Sequence, residues 1–210
     1  MNPPRELLQP DEEIFREMAT ILTPARPAFT RFTWWDRELQ SVLESIEESA
    51  FPPALRYSYE EMLERAGRPG FEGILVSDPG GATPPAAIMI VYRPGATTVY
   101  LDTLAVRSRG RGIGSALLRF LIRRCAGVPG AAEVAGAREA PGVRGATGAP
   151  GAAPPAKIRE IRLDAEGGDS EGGGGAPLPA YYQRFGFRVV AEEATGNVTM
   201  VLPLRPGGAG

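Results

Sequence analysis

Apolar residues recur at helical spacing in several stretches of the chain. Ile14, Met18 and Ile21 fall on one face of a helix, as do Leu39 and Leu43 further along. A serine at position 58 followed by a glutamate three residues later is typical of a helix start with a capping box. The predicted helices cover residues 10–22, 36–49, 58–65, 112–125 and 179–185.

Shorter apolar or alternating runs between these helices predict strands. The predicted strands cover residues 29–33, 71–76, 86–92, 97–106, 157–164, 187–191 and 198–204. Helices interleaved with strands over this length indicate one α/β domain with a mixed sheet.

Two stretches rich in glycine, alanine and proline interrupt the pattern, at residues 127–156 and 165–180. Such segments bury too little side chain to offset the entropy of ordering them. We therefore predict an N-terminal extension at 1–27, a catalytic domain at 28–204 with these two low-complexity insertions, and a disordered tail at 205–210.

The sequence contains no histidine and a single cysteine, Cys125. It therefore excludes histidine-based nucleophile triads, imidazole general bases and histidine zinc sites. One thiol forms neither an intramolecular disulfide nor a multi-thiolate metal site. We interpret Cys125 as a small buried residue and expect no metal.

Net charge and hydropathy limit the classes of binding partner that we expect. A net charge of −2 lacks the basic excess of a duplex-binding domain, so no nucleic acid is expected. No apolar run reaches the ~20 residues that cross a bilayer, and the first 13 residues are acidic without a hydrophobic signal region. These features predict a cytoplasmic protein that does not associate with membranes.

A glycine-rich turn follows the strand that ends at residue 106. Gly110, Gly112 and Gly114 let the backbone approach an anion closely, and the N–H groups at the start of the next helix point at it. The turn lacks the Gly-Lys-Ser/Thr ending of a Walker loop. Ser115 also stands near the position where the dinucleotide fingerprint has glycine or alanine. Two interpretations stay open, a phosphate site and a turn with a solvated basic face.

The spacing Arg109-x-x-Gly112-x-Gly114 after strand 97–106 resembles the acetyl-CoA loop of the GNAT superfamily of N-acetyltransferases. A second stretch, Tyr-Gln-Arg-Phe-Gly-Phe from Tyr182, is similar to the family's Tyr-x-x-x-Gly-Phe element near the C-terminus. The resemblance covers about residues 46–204 without the insertions. It is nearest to the arylalkylamine (serotonin) N-acetyltransferases.

The resemblance implies a mixed, mostly antiparallel sheet that is flanked by helices and splayed between strands 97–106 and 157–164. It implies acetyl-CoA as cosubstrate and Tyr182 as the acid that protonates the departing thiolate. The implied cosubstrate-binding residues are Leu104, Ala105 and Val106 for the pantetheine and acetyl end, and Arg109, Gly110, Arg111, Gly112, Ile113, Gly114 and Ser115 for the pyrophosphate.

The chain departs from that subgroup on the strand, where a His-x-His pair is replaced by Tyr100-x-Asp102. An alkyl ammonium with a pKa near ~10 must lose a proton before it attacks a thioester. Asp102 and Glu166 are the candidate carboxylates for that step. For both, a solvated residue with no catalytic role is the alternative.

The predicted function is acetyl transfer from acetyl-CoA to a primary amine, a small arylalkylamine or polyamine, by direct attack in a ternary complex. The alternatives are a protein or peptide N-acetyltransferase of the same fold and a non-catalytic acyl-CoA sensor.

Overall fold

The computed structural model describes residues 5–22, 27–51, 53, 56–77, 84–127, 133–134, 157–166, 178–194 and 196–204. Within them the helices are α1 (Glu12–Ile21), α2 (Arg37–Ala50), α3 (Tyr59–Ala66), α4 (Ile113–Ala126) and α5 (Leu178–Gln183). The strands are β1 (Glu6–Gln9), β2 (Ala28–Phe32), β3 (Glu72–Ser77), β4 (Ala87–Gly95), β5 (Thr98–Val106), β6 (Glu133–Val134), β7 (Glu160–Glu166), β8 (Arg188–Glu192) and β9 (Asn197–Pro203). None of these helices is both long and apolar enough to cross a membrane.

Local side-chain bonds explain where the first three helices begin. Asp11 and Asp36 each accept a hydrogen bond from the backbone N–H three residues on, at 3.1 and 2.9 Å. Ser58 and Glu61 form the capping box that the sequence predicts. All five predicted helices are present, with bounds that differ by a few residues.

The strands form one mixed sheet in the order β6-β1-β2-β3-β4-β5-β7-β9-β8. Every neighbouring pair is antiparallel except β5 and β7, which run parallel and pair only at residues 98–100 with residues 160–162. Beyond these pairs both strands continue without pairing to each other. This confirms the predicted α/β sheet that is splayed between two central strands.

Each face of the sheet carries its own hydrophobic core. The first face is covered by α1, α4 and α5, and the second by α2 and α3. Large fully buried residues include Met18, Phe29 and Phe120 on the first face and Phe32 and Leu39 on the second.

A bulge in β5 shifts its side-chain alternation at the point where β5 and β7 separate. Thr103 lies opposite Ile90 and Leu101 lies opposite Val91, so Asp102 has no partner on β4. Asp102 lies on the second face of the sheet, like Tyr100 two residues before it, and pairs there with Arg65 of α3.

The sequence pattern did not predict β1 or β6. Leu8 of β1 lies opposite Val134 of β6, so the predicted N-terminal extension and the first predicted insertion meet at one edge of the sheet. A four-residue and a two-residue strand carry too little alternation to be recognised in sequence. The rest of 128–156 lies outside the described residues, as do 167–177 and the tail; β7 and α5 occupy the two ends of the second predicted insertion.

Candidate active site

The C-terminal half of β5 borders the opening in the sheet. Leu104, Ala105 and Val106 pair with β4 along one edge, and on the other edge β7 makes no pair with them. Their backbone groups on that edge are therefore available to a bound molecule. The positions expected to hold the pantetheine and acetyl end of acetyl-CoA thus line the split.

The turn after β5 has the backbone shape of an anion site. Gly110 and Gly112 have φ angles of +77° and +88°, in the left-handed region that favours glycine. Gly112 is also the N-cap of α4, and no side chain caps this helix start. Within the described residues the first N–H groups of α4, from Ile113 to Ser115, donate no hydrogen bond and can therefore bind a phosphate.

The arginines of the turn bind protein oxygens in this structure. Arg107 donates to the Ser45 carbonyl and hydroxyl at 2.9 and 2.8 Å and to the Pro85 carbonyl at 3.0 Å, which fixes α2 to the end of β5. Arg111 donates to the carbonyl of Ile21, the last residue of α1. Arg107 therefore has a structural role at the junction of α2 and β5.

Helix α5 places two adjacent tyrosines beside the split. The Tyr181 hydroxyl lies 3.4 Å from Ser115 Oγ and 3.3 Å from the position that a Cβ on Gly114 would occupy. Tyr181 therefore contacts the start of α4.

The Tyr182 ring packs against Phe187 at 5.7 Å and against Tyr181 at 5.1 Å between centroids. No hydrogen-bond partner for the Tyr182 hydroxyl occurs within the described part of the chain. Burial raises the pKa of Tyr182 above its ordinary value, and the neighbouring Tyr181 adds to that rise. The phenol therefore keeps its proton at neutral pH, as a general acid must before it acts.

Asp102 lies in a polar cluster under α2 and α3. Its side chain is 5% exposed and binds Arg65 Nε at 3.3 Å, with Arg68 at 4.0 Å. Arg65 stacks 3.9 Å above the Tyr57 ring. Asp102 is therefore a buried, paired carboxylate, and the alternative of a solvated residue on an outward face is wrong.

Aromatic and acidic side chains extend this cluster along the second face. Tyr100 stacks on Tyr92 at 4.8 Å and donates to Asp164 Oδ2 at 2.6 Å. Thr199 donates to the other oxygen of Asp164 at 2.7 Å. Glu166 is the last residue of β7, and its side chain lies outside the described part of the structure.

Glu47 is a buried carboxylate that the sequence did not single out. It lies in the last turns of α2, it is 1% exposed, and neither carboxylate oxygen makes a hydrogen bond within the described residues. Burial raises its pKa to about 7, opposed by the nearby backbone N–H of Tyr57, whose geometry falls short of a full hydrogen bond, and by the charge of Arg56. No pattern in the sequence marks Glu47, because other glutamates flank it on the same helix.

No metal-binding geometry occurs in the part of the chain that the structure describes, where no group of three or more histidine, cysteine, aspartate or glutamate side chains could hold an ion. The single thiol, Cys125, is half-buried, and burial raises its pKa to about 11.

The sequence matches no protein-family model and no curated protein. Its structure is similar to that of a protein described as a GNAT-family acetyltransferase from Desulfovibrio desulfuricans, with 18% identity, a TM-score of 0.55, and coverage of 86% of this chain and 99% of that one. It is similar to the aminoglycoside 6'-N-acetyltransferase from Enterococcus faecium, with 15% identity, a TM-score of 0.53, and coverage of 83% and 97%. It is also similar to the GphF GNAT-like decarboxylase in complex with isobutyryl-CoA, with 16% identity, a TM-score of 0.53, and coverage of 81% and 97%. At these identities the likeness establishes the architecture, and the chain therefore has the GNAT acetyltransferase fold.

Proposed function

We propose that this chain transfers the acetyl group of acetyl-CoA to a primary amine. The observation that carries the proposal is the opening between β5 and β7, which lies beside a helix start that no side chain caps. One end of this opening suits a pyrophosphate and the other a thioester. Residues 104–106 and 109–115 bind the cosubstrate in this proposal.

The chemistry proceeds by direct attack in a ternary complex. The amine nitrogen bonds to the thioester carbonyl carbon, and backbone N–H groups near residues 104–106 stabilise the oxyanion. The carbon–sulfur bond then breaks and Tyr182 donates its proton to the thiolate. The attacking nitrogen loses one proton to solvent, and solvent returns a proton to the Tyr182 oxygen. The Tyr182 phenol is protonated at neutral pH, and its hydroxyl makes no hydrogen bond within the described residues, which supports this role.

The acceptor in this proposal is a small arylalkylamine or a polyamine. The stacked pair Tyr92 and Tyr100 and the nearby Tyr57 offer aromatic surface to an aryl group. Asp102, which is already paired with Arg65, is proposed to accept a hydrogen bond from the amine, and Glu166 is proposed to supply negative charge from β7.

The test is release of free CoA thiol by the purified chain with acetyl-CoA and a panel of arylalkylamines, polyamines, amino acids and peptides. Mass spectrometry of the products identifies the acetylated atom. We expect turnover with an arylalkylamine or polyamine. Turnover with peptides alone would mean that the acceptor is a peptide and not a small amine. CoA binding without turnover of any amine would support a sensor and refute acetyl transfer.

A further inference from the structure

Two arginines lie on the aromatic surface of the acceptor side, the face of the sheet that α2 and α3 cover. The Arg65 guanidinium stacks 3.9 Å above the Tyr57 ring, and the Arg68 guanidinium lies 4.9 Å from the centre of the Tyr92 ring. Tyr92 stacks in turn on Tyr100, the last residue of β5 that pairs with β7 before the two strands separate. The two positive charges therefore lie beside the start of the split.

These two arginines share one buried carboxylate, Asp102. Its Oδ1 atom lies 3.3 Å from Arg65 Nε and 4.0 Å from a terminal nitrogen of Arg68, and its Oδ2 atom accepts a hydrogen bond from the Thr103 hydroxyl at 3.1 Å. The other carboxylate near Arg68 belongs to the exposed Glu64, at 3.7 Å. Both carboxylate contacts of Arg68 are longer than a hydrogen bond, so its guanidinium keeps donors for a further carboxylate.

A structural arginine cluster elsewhere in this chain is arranged differently. Arg31 binds Glu6 and Glu72 at 3.0 Å each, and Arg124 binds Glu72 at 3.1 Å. Two guanidinium groups meet two carboxylates there at hydrogen-bond distance, so the charges balance. Around Asp102 two guanidinium groups meet one buried carboxylate, which leaves a positive charge that a ligand can compensate.

This positive charge discriminates between classes of amine. Every charged group of a polyamine is positive, and Arg65 and Arg68 repel such groups at short range. A carboxylate instead matches the planar guanidinium and forms two parallel hydrogen bonds with it. The side chains of Arg65 and Arg68 are 18% and 33% exposed, so both are within reach of a bound molecule.

We propose that the acceptor is an arylalkylamine that also carries a carboxylate, as an aromatic α-amino acid does, and that Arg68, with Arg65 beside it, binds this carboxylate. The aryl group lies on Tyr92 and Tyr100. In an α-amino acid the amine and the carboxylate share one carbon, which fits the separation of 4.0 Å between Asp102 and Arg68.

The reaction itself is unchanged by this assignment. R–NH3⁺ and acetyl-CoA give the N-acetyl product, CoA thiol and one proton released to solvent, and the carboxylate of the acceptor takes no part in bond making. The inference rests on the proposed acetyl transfer and names the acceptor within its substrate class.

The test compares kcat/KM for tryptophan, tryptophanamide and tryptamine, with phenylalanine, phenylalaninamide and phenethylamine as a second series. Only the first member of each series carries a carboxylate, and the amide controls for its size. Because the three amines differ in pKa, the values are compared per concentration of free amine. We expect the amino acid to exceed the other two by roughly 10- to 100-fold, the usual contribution of a hydrogen bond to a charged group.

Variants of Arg68 test which side chain binds the carboxylate. Arg68→Gln should reduce the preference for the amino acid to a few-fold or less, mainly by raising its KM. Arg68→Lys keeps the charge without the planar fork and should retain part of the preference. The matched control is Arg93→Gln, because Arg93 is exposed and follows Tyr92 on β4, so its side chain points to the other face of the sheet. It should leave the preference unchanged.

Equal values for the amino acid, amide and amine in wild type, or a preference for polyamines, overturn this inference while acetyl transfer stands. A preference that survives in Arg68→Gln, or that falls equally in Arg93→Gln, overturns the assignment of Arg68. If Arg68→Gln does not fold, an unchanged preference in Arg68→Lys overturns the fork geometry and a reduced one supports it. Absence of amine turnover in wild type overturns the proposed function and this inference together.

Discussion

The two proposed binding sites beside β5 use different parts of the chain to recognise their ligands. On the side of α1, α4 and α5, the proposed cosubstrate site consists of backbone groups from one continuous stretch, residues 104–115. On the side of α2 and α3, the proposed acceptor site consists of side chains from separate elements, among them Tyr57, Arg65 and Asp102. Backbone recognition depends on where glycine permits a close approach, whereas side-chain recognition depends on burial and charge. The first side is therefore sensitive to conformation, and the second to the protonation of single groups.

The largest expected effect lies at the split itself, where the two sides meet. Tyr182→Phe should lower kcat by roughly 10²–10⁴-fold, the usual range for a general acid, and leave the Kd for CoA unchanged. The loss should shrink for a thioester whose thiol is more acidic, because such a thiolate leaves without protonation. Steady-state kinetics and calorimetry measure the two quantities.

Tyr181→Phe is the matched control, since it removes the neighbouring hydroxyl that contacts Ser115 Oγ. It should change kcat by only a few-fold. If Tyr181→Phe shows the large loss and Tyr182→Phe does not, the acid is Tyr181.

The second expected effect is a change with pH in the free energy of unfolding, caused by Glu47 on the face that α2 and α3 cover. The pKa of Glu47 is raised from 4.5 to about 7 on folding, so the folded state holds a proton that the unfolded state releases between these values. Stability is therefore lost as the pH rises from about 4.5 to 7, by up to about 3 kcal/mol. Glu47→Gln should remove this loss and exceed wild type in stability at pH 8.

Urea unfolding of wild type, Glu47→Gln and Glu38→Gln at pH 5 and pH 8 measures how the free energy of unfolding changes with pH, which we call the slope. The exposed Glu38 pairs with Arg5 on the surface, so its variant should retain the wild-type slope. Equal slopes in wild type and Glu47→Gln would mean that Glu47 is ionised and compensated in solution.

The elements of the fold could be predicted where a pattern repeats over several turns. Asp36 and Ser58 start their helices as expected because a cap is a local bond between residues three apart. The pairing of β1 with β6 depends on residues about 125 positions apart, such as Leu8 and Val134, and on no local pattern. The sequence therefore missed that edge of the sheet.

The same distinction separates the two halves of the site. The turn from Arg109 to Ser115 is contiguous, so its glycine spacing can be recognised in the sequence. Glu47 is one of several glutamates in the last turns of α2, and sequence does not distinguish it from the exposed Glu44 and Glu48. The hydrogen bond from Gln40 of α2 to the Tyr57 carbonyl and the ion pair between Arg65 and Asp102 bring the acceptor cluster together, and both join residues far apart in sequence.

The third effect tests backbone recognition on the cosubstrate side. Gly112 and Gly127 cap the two ends of α4 with φ angles of +88° and +73°. Replacing either with alanine should destabilise the fold by a similar amount, about 1 kcal/mol, because alanine tolerates this conformation poorly. Only Gly112→Ala should also weaken CoA binding, by roughly tenfold or about 1.4 kcal/mol.

Thermal unfolding and calorimetry with CoA measure both quantities. Gly127→Ala has open space around its added Cβ, so it isolates the cost of the backbone conformation. An equal loss of CoA affinity in the two variants would mean that general loosening of α4 is responsible. Unchanged CoA affinity in Gly112→Ala would mean that this turn does not bind CoA.

The smallest effect is expected from the charged side chains of the same turn. Arg111 donates to the Ile21 carbonyl at the end of α1, and Arg119 pairs with Glu17 of the same helix. Arg111 must leave its carbonyl to reach a phosphate, so its net contribution to CoA binding should be small and screened by salt. Arg111→Gln should weaken CoA binding about threefold at low salt and less at high salt. Arg119→Gln loosens α1 in the same way but lies two turns along α4, so it should leave the affinity unchanged. A loss greater than tenfold in Arg111→Gln would show that this guanidinium holds the pyrophosphate, and the cosubstrate side would then depend on side-chain charge as the acceptor side does.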